Sequence, residues 1–240
     1  MKFKSTFLLT LPVIAMPFLG LPANAADLTA EFDAKHKACL ERIAEDNELA
    51  YEEAMIWRDE GGGRRAKHCE AMALYALGHE IEAAHRLDLL AKAADGGDKD
   101  MRANFYAEAA NFWLVANEPD KAYRSATEGL KIIESHIDLR ISRARAYAAL
   151  GRYDYAETDL TNVLRFDRNN AAALRYRADA RFNQGKLTDA KIDIENSLVS
   201  DPTQVETALL RGHINEAIRT GVIPEPKNKK PEDTEKTEAE

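Results

Sequence analysis

The amino-acid sequence predicts an all-α chain, a superhelical solenoid of about five helix-turn-helix hairpins closed by a C-terminal capping helix. Three observations carry this. Similar segments recur 34 residues apart, most visibly around Gly151 in the run from Tyr147 to Tyr153 and around Gly185 in the run from Arg181 to Leu187. Each segment pairs two small residues across its turn, Ala144 with Ala156 and Ala178 with Ala190, and small pairs let antiparallel helices approach closely. Only 12 Gly and 8 Pro are spread over 240 residues that are 45% hydrophobic, which argues against a collagenous or wholly disordered chain. The length is ample for a sizeable core in one or two domains.

Taken in order, the first segment reads as an address. Lys2 and Lys4 precede an uncharged apolar run over 7–21, and Ala23-Asn24-Ala25 places small residues at both critical positions before a cut. This pattern predicts a signal peptide over residues 1–25, cleaved after Ala25, and a periplasmic product. Pro17, Gly20 and Pro22 break a helix there and disfavour an uncleaved anchor. No later stretch approaches ~18 apolar residues, so no transmembrane segment is expected after cleavage.

A helical solenoid is expected over 26–221. Its hairpins fall near 31–63 (Ala38 with Ala50), 64–97 (Ala71 with Ala83, Gly78 at the turn) and 103–136 (Ala110 with Ala122). Two further hairpins follow near 137–170 and 171–204. Pro119 is placed to open a second helix, where its missing N–H costs nothing. The first hairpin closes early at Gly61-Gly62-Gly63, a flexible corner, and five extra residues, Asp98 to Arg102, separate the second and third. Residues 205–220 form a half-unit with Gly212 at the small position, the cap that shields the last apolar face. The tail, 222–240, is rich in Pro, Lys and Glu without apolar periodicity and is expected to be disordered.

These segments resemble the tetratricopeptide repeat family over roughly Glu31 to Thr220, with the two units from Ile137 the strongest matches. The resemblance implies a right-handed superhelix whose first helices line a concave groove that binds protein segments. The groove residues it implies include Asn104, Ala107, Asn111 and Leu114 from the third unit, and Asp138, Ile141, Arg145 and Ala148 from the fourth. The fifth supplies Ala172, Arg175, Tyr176, Asp179 and Phe182. Asn104, Asn111, Arg145, Arg175, Tyr176 and Asp179 are the candidate contacts. One subclass grips the C-terminal carboxylate of heat-shock chaperones through Lys, Asn, Asn, Lys and Arg. The matching positions here are Ala107, Asn111, Ser142, Ala172 and Tyr176, so only Asn111 agrees and that partner is not expected.

Charge adds a further constraint. The chain carries 33 Lys+Arg against 41 Asp+Glu, a formal net charge of −8, which makes it a poor nonspecific nucleic-acid binder. Residues 140–181 nevertheless hold nine Arg and five acids. Two accounts stand for this cluster. Arg145 and Arg175 project into the groove and suit a carboxylate, or most of these arginines are a solvated face laced to Asp154, Glu157, Asp159 and Asp167.

Cys39 and Cys69 occupy positions that converge on one ligand carboxylate in clamp-type members of the family. The resemblance therefore implies a disulfide in an oxidising compartment. Two alternatives stay open: free thiols, and a metal site that adds His36 and His68. Against the metal, His68 and Cys69 are adjacent and point about 100° apart on a helix. No Gly-rich phosphate loop, nucleophile elbow or His-Glu-x-x-His stands in the sequence. The expectation is a non-catalytic periplasmic adaptor that binds a protein or peptide partner, with no cofactor and no metal. The alternative is an envelope protein that binds a small ligand or metal through the groove or the His36/Cys39/Cys69 region.

Overall fold

A computed structural model describes residues 24–223, so the expected signal segment up to Ala23 and the tail from Pro224 lie outside the described residues. Among the described residues are eleven α-helices and no strand. In order they are α1 (Asn24–Glu45), α2 (Asn47–Asp59), α3 (Gly63–Ala76), α4 (Glu80–Lys92), α5 (Lys99–Val115) and α6 (Pro119–Ile132). They continue with α7 (Ile137–Ala149), α8 (Tyr153–Phe166), α9 (Ala171–Asn183), α10 (Leu187–Ser200) and α11 (Val205–Thr220). Consecutive helices pack antiparallel into five hairpins plus α11, a right-handed superhelical solenoid.

Local chemistry sets the helix ends. The Asp46, Asp98 and Asn170 side chains accept from the N–H groups of Leu49, Met101 and Ala173, which caps α2, α5 and α9. Pro119 opens α6. The turns inside the fourth and fifth hairpins need a left-handed residue, met by Gly151 (φ 73°) and Gly185 (φ 78°). The third hairpin has Asn117 there at φ 57°, the residue type that best tolerates that conformation after Gly.

The small pairs lie at the heart of four hairpins. Ala71 with Ala83, Ala110 with Ala122, Ala144 with Ala156, and Ala178 with Ala190 are all at most 1% exposed. Larger apolar residues then fill the space between hairpins: Leu87 and Leu90, Phe105 and Trp113, Leu160 and Val163, Ile194 and Ile214.

The first hairpin departs from expectation. Ala38 is exposed, and Cys39 is buried in its place, with Sγ 4.0 Å from the Ala50 carbonyl oxygen. The contact shifts by one residue because Cys39 is tied to α3. The Gly61–Gly63 corner is not simply flexible either. A Cβ on Gly62 would stand 2.6 Å from Trp57 Nε1 and 2.7 Å from Ala66 Cβ, so glycine is required by close packing. The five residues Asp98 to Arg102 do not form a linker. Asp98 is a cap and the other four are helical, which lengthens α5 to 17 residues.

Charged pairs repeat with the same period as the alanines. Arg143 of α7 donates to both oxygens of Asp159 in α8, at 2.7 and 2.8 Å. Arg177 of α9 makes the same fork to Asp193 in α10, at 2.8 and 2.7 Å. Both pairs are 16 residues apart in sequence. The second hairpin holds the pair reversed, with Glu70 of α3 bound by Arg86 of α4 and by Arg58 of α2. Asp159, Asp193 and Glu70 are 4%, 2% and 2% exposed, so each carboxylate depends on its arginines for solvation.

That dependence is measurable. Asp193 also accepts from Arg181 at 2.8 Å, but Arg181 keeps Glu157 as a second partner, so Asp193→Asn leaves the Arg177 guanidinium as the one without a carboxylate. Urea denaturation is expected to show a loss of about 3 kcal/mol, the cost of removing one member of a buried ion pair.

Candidate functional site

The first helices lie on the inside of the curve. α1 is apposed to α3, α5 to α7, α7 to α9 and α9 to α11, with no comparable apposition among the second helices. Between α3 and α5 side chains make the bridge, with Tyr75 stacked on Phe112 at 3.8 Å and His68 beside Phe105 at 5.1 Å.

On this face the structure gathers five of the six candidate contacts. Arg145 of α7 and Arg175 of α9 both place their guanidinium carbons against the Tyr176 ring, at 5.2 and 4.2 Å from its centroid. Asn111 of α5 fixes Arg145: its Oδ1 accepts from the guanidinium at 2.8 Å and from Ser142 Oγ at 3.2 Å. One turn along α9, Asp179 accepts from Asn183 Nδ2 at 3.2 Å. Burial pushes the Asp179 carboxyl above its usual range, against the opposing pull of Asn183 and Arg175. Two residues that the repeat pattern assigned to the groove, Ala107 and Phe182, are buried in the core instead, and the sixth candidate, Asn104, stands two turns before Asn111 on α5. Asn104 is exposed and pairs with His136 Nε2 at 3.0 Å. Phe182 is 7% exposed and packs in the core with Ile194 and Ile214.

The arginine cluster divides by face. Arg140, Arg143, Arg177 and Arg181 are bound to Asp159, Asp193 and Glu157. Burial works against the Glu157 charge. Hydrogen bonds from Lys186, Arg181 and Gln184 outweigh it and hold the carboxyl at about 2. Lacing therefore accounts for these arginines, through Asp193 as well as Asp159 and Glu157. Asp193 and the regular spacing of 16 escaped the sequence argument, although an Arg followed 16 residues later by Asp is visible twice in the sequence. Arg145 and Arg175 differ. Neither has a carboxylate within 4.0 Å among the described residues, and Arg175 Nε is buried without a hydrogen-bond partner. Stacking on Tyr176 leaves two positive charges available at the concave surface. A pocket of about 470 Å³ opens elsewhere, between α4 and α6, and none of these groups line it.

The cysteines are joined. Cys39 of α1 and Cys69 of α3 form a disulfide with Cα atoms 6.3 Å apart. Neither sulfur is then a thiolate, and the metal alternative loses its sulfur ligands. Among the described residues no group of three or more His, Cys, Asp or Glu is arranged to hold a metal. The histidines beside the disulfide form a chain that the sequence did not reveal. His68 Nε2 lies 2.8 Å from Glu108 Oε2, and His68 Nδ1 lies 2.9 Å from His36 Nε2. With Glu108 as acceptor, His68 donates through Nε2 and accepts from His36 through Nδ1. The chain stitches α1, α3 and α5 along the inner face. Burial first, then the proximity of His68 and Arg65, lowers the His36 pKa to about 4.

No family model matches the chain. Translocon at the outer membrane of chloroplasts 64 of Pisum sativum is 32% identical over 110 residues, 46% of this chain and 18% of that protein. RNA polymerase II-associated protein 3 of Mus musculus is 30% identical over 111 residues, 46% of this chain and 17% of that protein. The chain thus spans less than a fifth of the length of these curated relatives. Among solved structures, a thermophilic TPR protein of Thermus thermophilus matches with a TM-score of 0.59 at 14% identity. That match covers 75% of this chain and 99% of the other, a likeness of fold.

Two outcomes follow from the first hairpins. The disulfide closes a separation of 30 residues, so reduction is expected to lower the unfolding free energy by about 3–4 kcal/mol in the chain-entropy model, read by denaturation with and without reductant. His36 binds its proton less readily folded than unfolded. Stability is therefore expected to fall as pH drops from about 6.5, the unfolded value, through 4. Thermal melts across that window, wild type against His36→Gln, check this, because glutamine keeps the hydrogen-bond donor to His68 and removes the titration.

Proposed function

We propose that this tetratricopeptide-repeat solenoid is a non-catalytic adaptor that holds an extended peptide or partner segment in its concave groove. Its anchor is a carboxylate of the partner set against Arg145 and Arg175. The observation that carries this is the contrast within one cluster of arginines. Those between the helices of a hairpin each bind a buried carboxylate, whereas the two on the concave face bind none among the described residues: both stack on Tyr176, and Arg145 also donates to Asn111. A guanidinium pair already ordered by stacking and by Asn111 binds a carboxylate without a large loss of side-chain freedom. Arg and Tyr are also the residue types that concentrate binding energy at interfaces. Both curated relatives carry names that refer to larger protein assemblies, a translocon and RNA polymerase II, which is consistent with a binding role.

The compartment belongs to the same proposal. The signal-like segment at 1–25 and a disulfide between the chain's two cysteines both favour the periplasm.

Crosslinking capture from envelope extract tests the groove. The wild-type chain is expected to retain a partner that the Arg145→Glu, Arg175→Glu double variant loses, with helicity and melting temperature unchanged. A partner held equally by both proteins would move the site off the concave face.

A further inference from the structure

The fourth and fifth hairpins are assembled with the same interface. On the first helix it reads Arg-Ala, as Arg143-Ala144 and Arg177-Ala178. On the second it reads Ala-x-x-Asp-Leu/Ile, as Ala156…Asp159-Leu160 and Ala190…Asp193-Ile194. Alanine meets alanine at no more than 1% exposure, and arginine forks onto aspartate. The aliphatic residue after the aspartate is fully buried.

α11 repeats the first half of that interface. Arg211-Gly212 stands 34 residues after Arg177-Ala178, which stands 34 after Arg143-Ala144. The second half is missing among the described residues. Arg211 is exposed and makes no hydrogen bond or ion pair there. A Cβ on Gly212 would meet nothing within 4 Å, although the corresponding alanines are sealed. Ala208 and Leu209 lie exposed beside them, Leu209 at 60%. The opposite face of α11, Thr207, Ile214 and Ala217, is buried against the fifth hairpin, so the helix is held while its outer face stays open.

Residues 224–240 do not offer the complement. The residue 16 positions beyond Arg211 is Lys227, of the wrong sign, with Pro224 and Pro226 just before it. From 224 to 240 no segment reads Ala-x-x-Asp-Leu/Ile. A second copy is no better placed, because its matching helices, α8 and α10, are already buried in their own hairpins.

We propose that the outer face of α11 receives an amphipathic helix of a partner protein bearing Ala-x-x-Asp/Glu-Leu/Ile, which completes a sixth hairpin in trans. The partner's small residue sits over Gly212, its carboxylate takes both sides of the Arg211 fork, and its aliphatic residue covers the exposed apolar strip. This surface is separate from the concave groove, so one solenoid holds two partners or two parts of one.

The chain's own α10 supplies the probe. A helix-stapled, fluorescent peptide of residues 187–200, with the staple opposite Ala190, is titrated against the full chain. Saturable binding is expected, weakened about tenfold or more by Arg211→Glu and restored when that variant meets a peptide carrying Asp193→Lys. Gly212→Leu, at an exposed position that leaves the fold intact, is expected to abolish binding by filling the slot. The proposal is overturned if the peptide fails to saturate, or if binding ignores both Arg211→Glu and Gly212→Leu. It is overturned equally if binding depends on Arg177 instead, the mark of exchange with the internal α10. Deletion of 224–240 is expected to leave peptide affinity unchanged, and a marked rise would identify the tail as the occupant. Sedimentation equilibrium is expected to give the same mass for wild type and Gly212→Leu, and a dimer lost in the variant would identify a second copy.

Discussion

Close approach of paired helices governs how this solenoid is built. Two alanines twelve residues apart meet at the crossing of each of the last four hairpins, at most 1% exposed. Anything larger there would hold the helices apart, and the curvature of the whole solenoid would change with them. The tight crossing also brings the residue before the first alanine within reach of the carboxylate three residues after the second. That explains why Arg143–Asp159 and Arg177–Asp193 are both two-pronged and nearly identical in length. The alanines permit the ion pairs without dictating them, since the third hairpin has Ala109 and Ser125 at those positions, and burial makes the pairs that form specific to this packing.

The concave face is the by-product of this arrangement. Arginines directed between helices find acids, and those two residues away on the same helix are directed inward. Arg145 stands two residues from Arg143, and Arg175 two residues from Arg177, on helices where that step rotates a side chain by about 200°. Tyr176 then gives both a common platform, and Asn111 reaches from α5 to fix the nearer one. The site is composed from three helices of three hairpins, and no carboxylate among the described residues lies within 4.0 Å of its two guanidinium groups.

The first three hairpins solve a harder problem with other means. The alanine pairing of the first slips at Cys39, its corner is tightened by Gly62 against Trp57, and α5 of the third is longer by a turn. Cross-links take over where regular packing is weakest. The Cys39–Cys69 disulfide ties α1 to α3, and the His36–His68–Glu108 chain carries the tie to α5. The same region holds the disulfide and the histidine whose pKa burial lowers.

The all-α hairpin architecture is legible in the linear chain, because period, small pairs and turn residues are local properties that survive without coordinates. Arg145, Arg175 and Tyr176 are legible too, since a helical register assigns faces. Which arginines are already neutralised is not, because that depends on distances across hairpins and on Asp193, which looks like any surface acid in a linear string. The one-residue slip at Cys39, the placing of Phe182 in the core, the pairing of Asn104 with His136 and the histidine chain have a common origin. Each involves neighbours about 30 residues away in sequence, joined for Phe182 by its own hairpin's Ile194, and packing sets which of several plausible neighbours a side chain meets. The open face of α11 lies between these cases: its Arg-Gly pair is written in the 34-residue period, but that nothing among the described residues covers it is a fact of the folded arrangement alone.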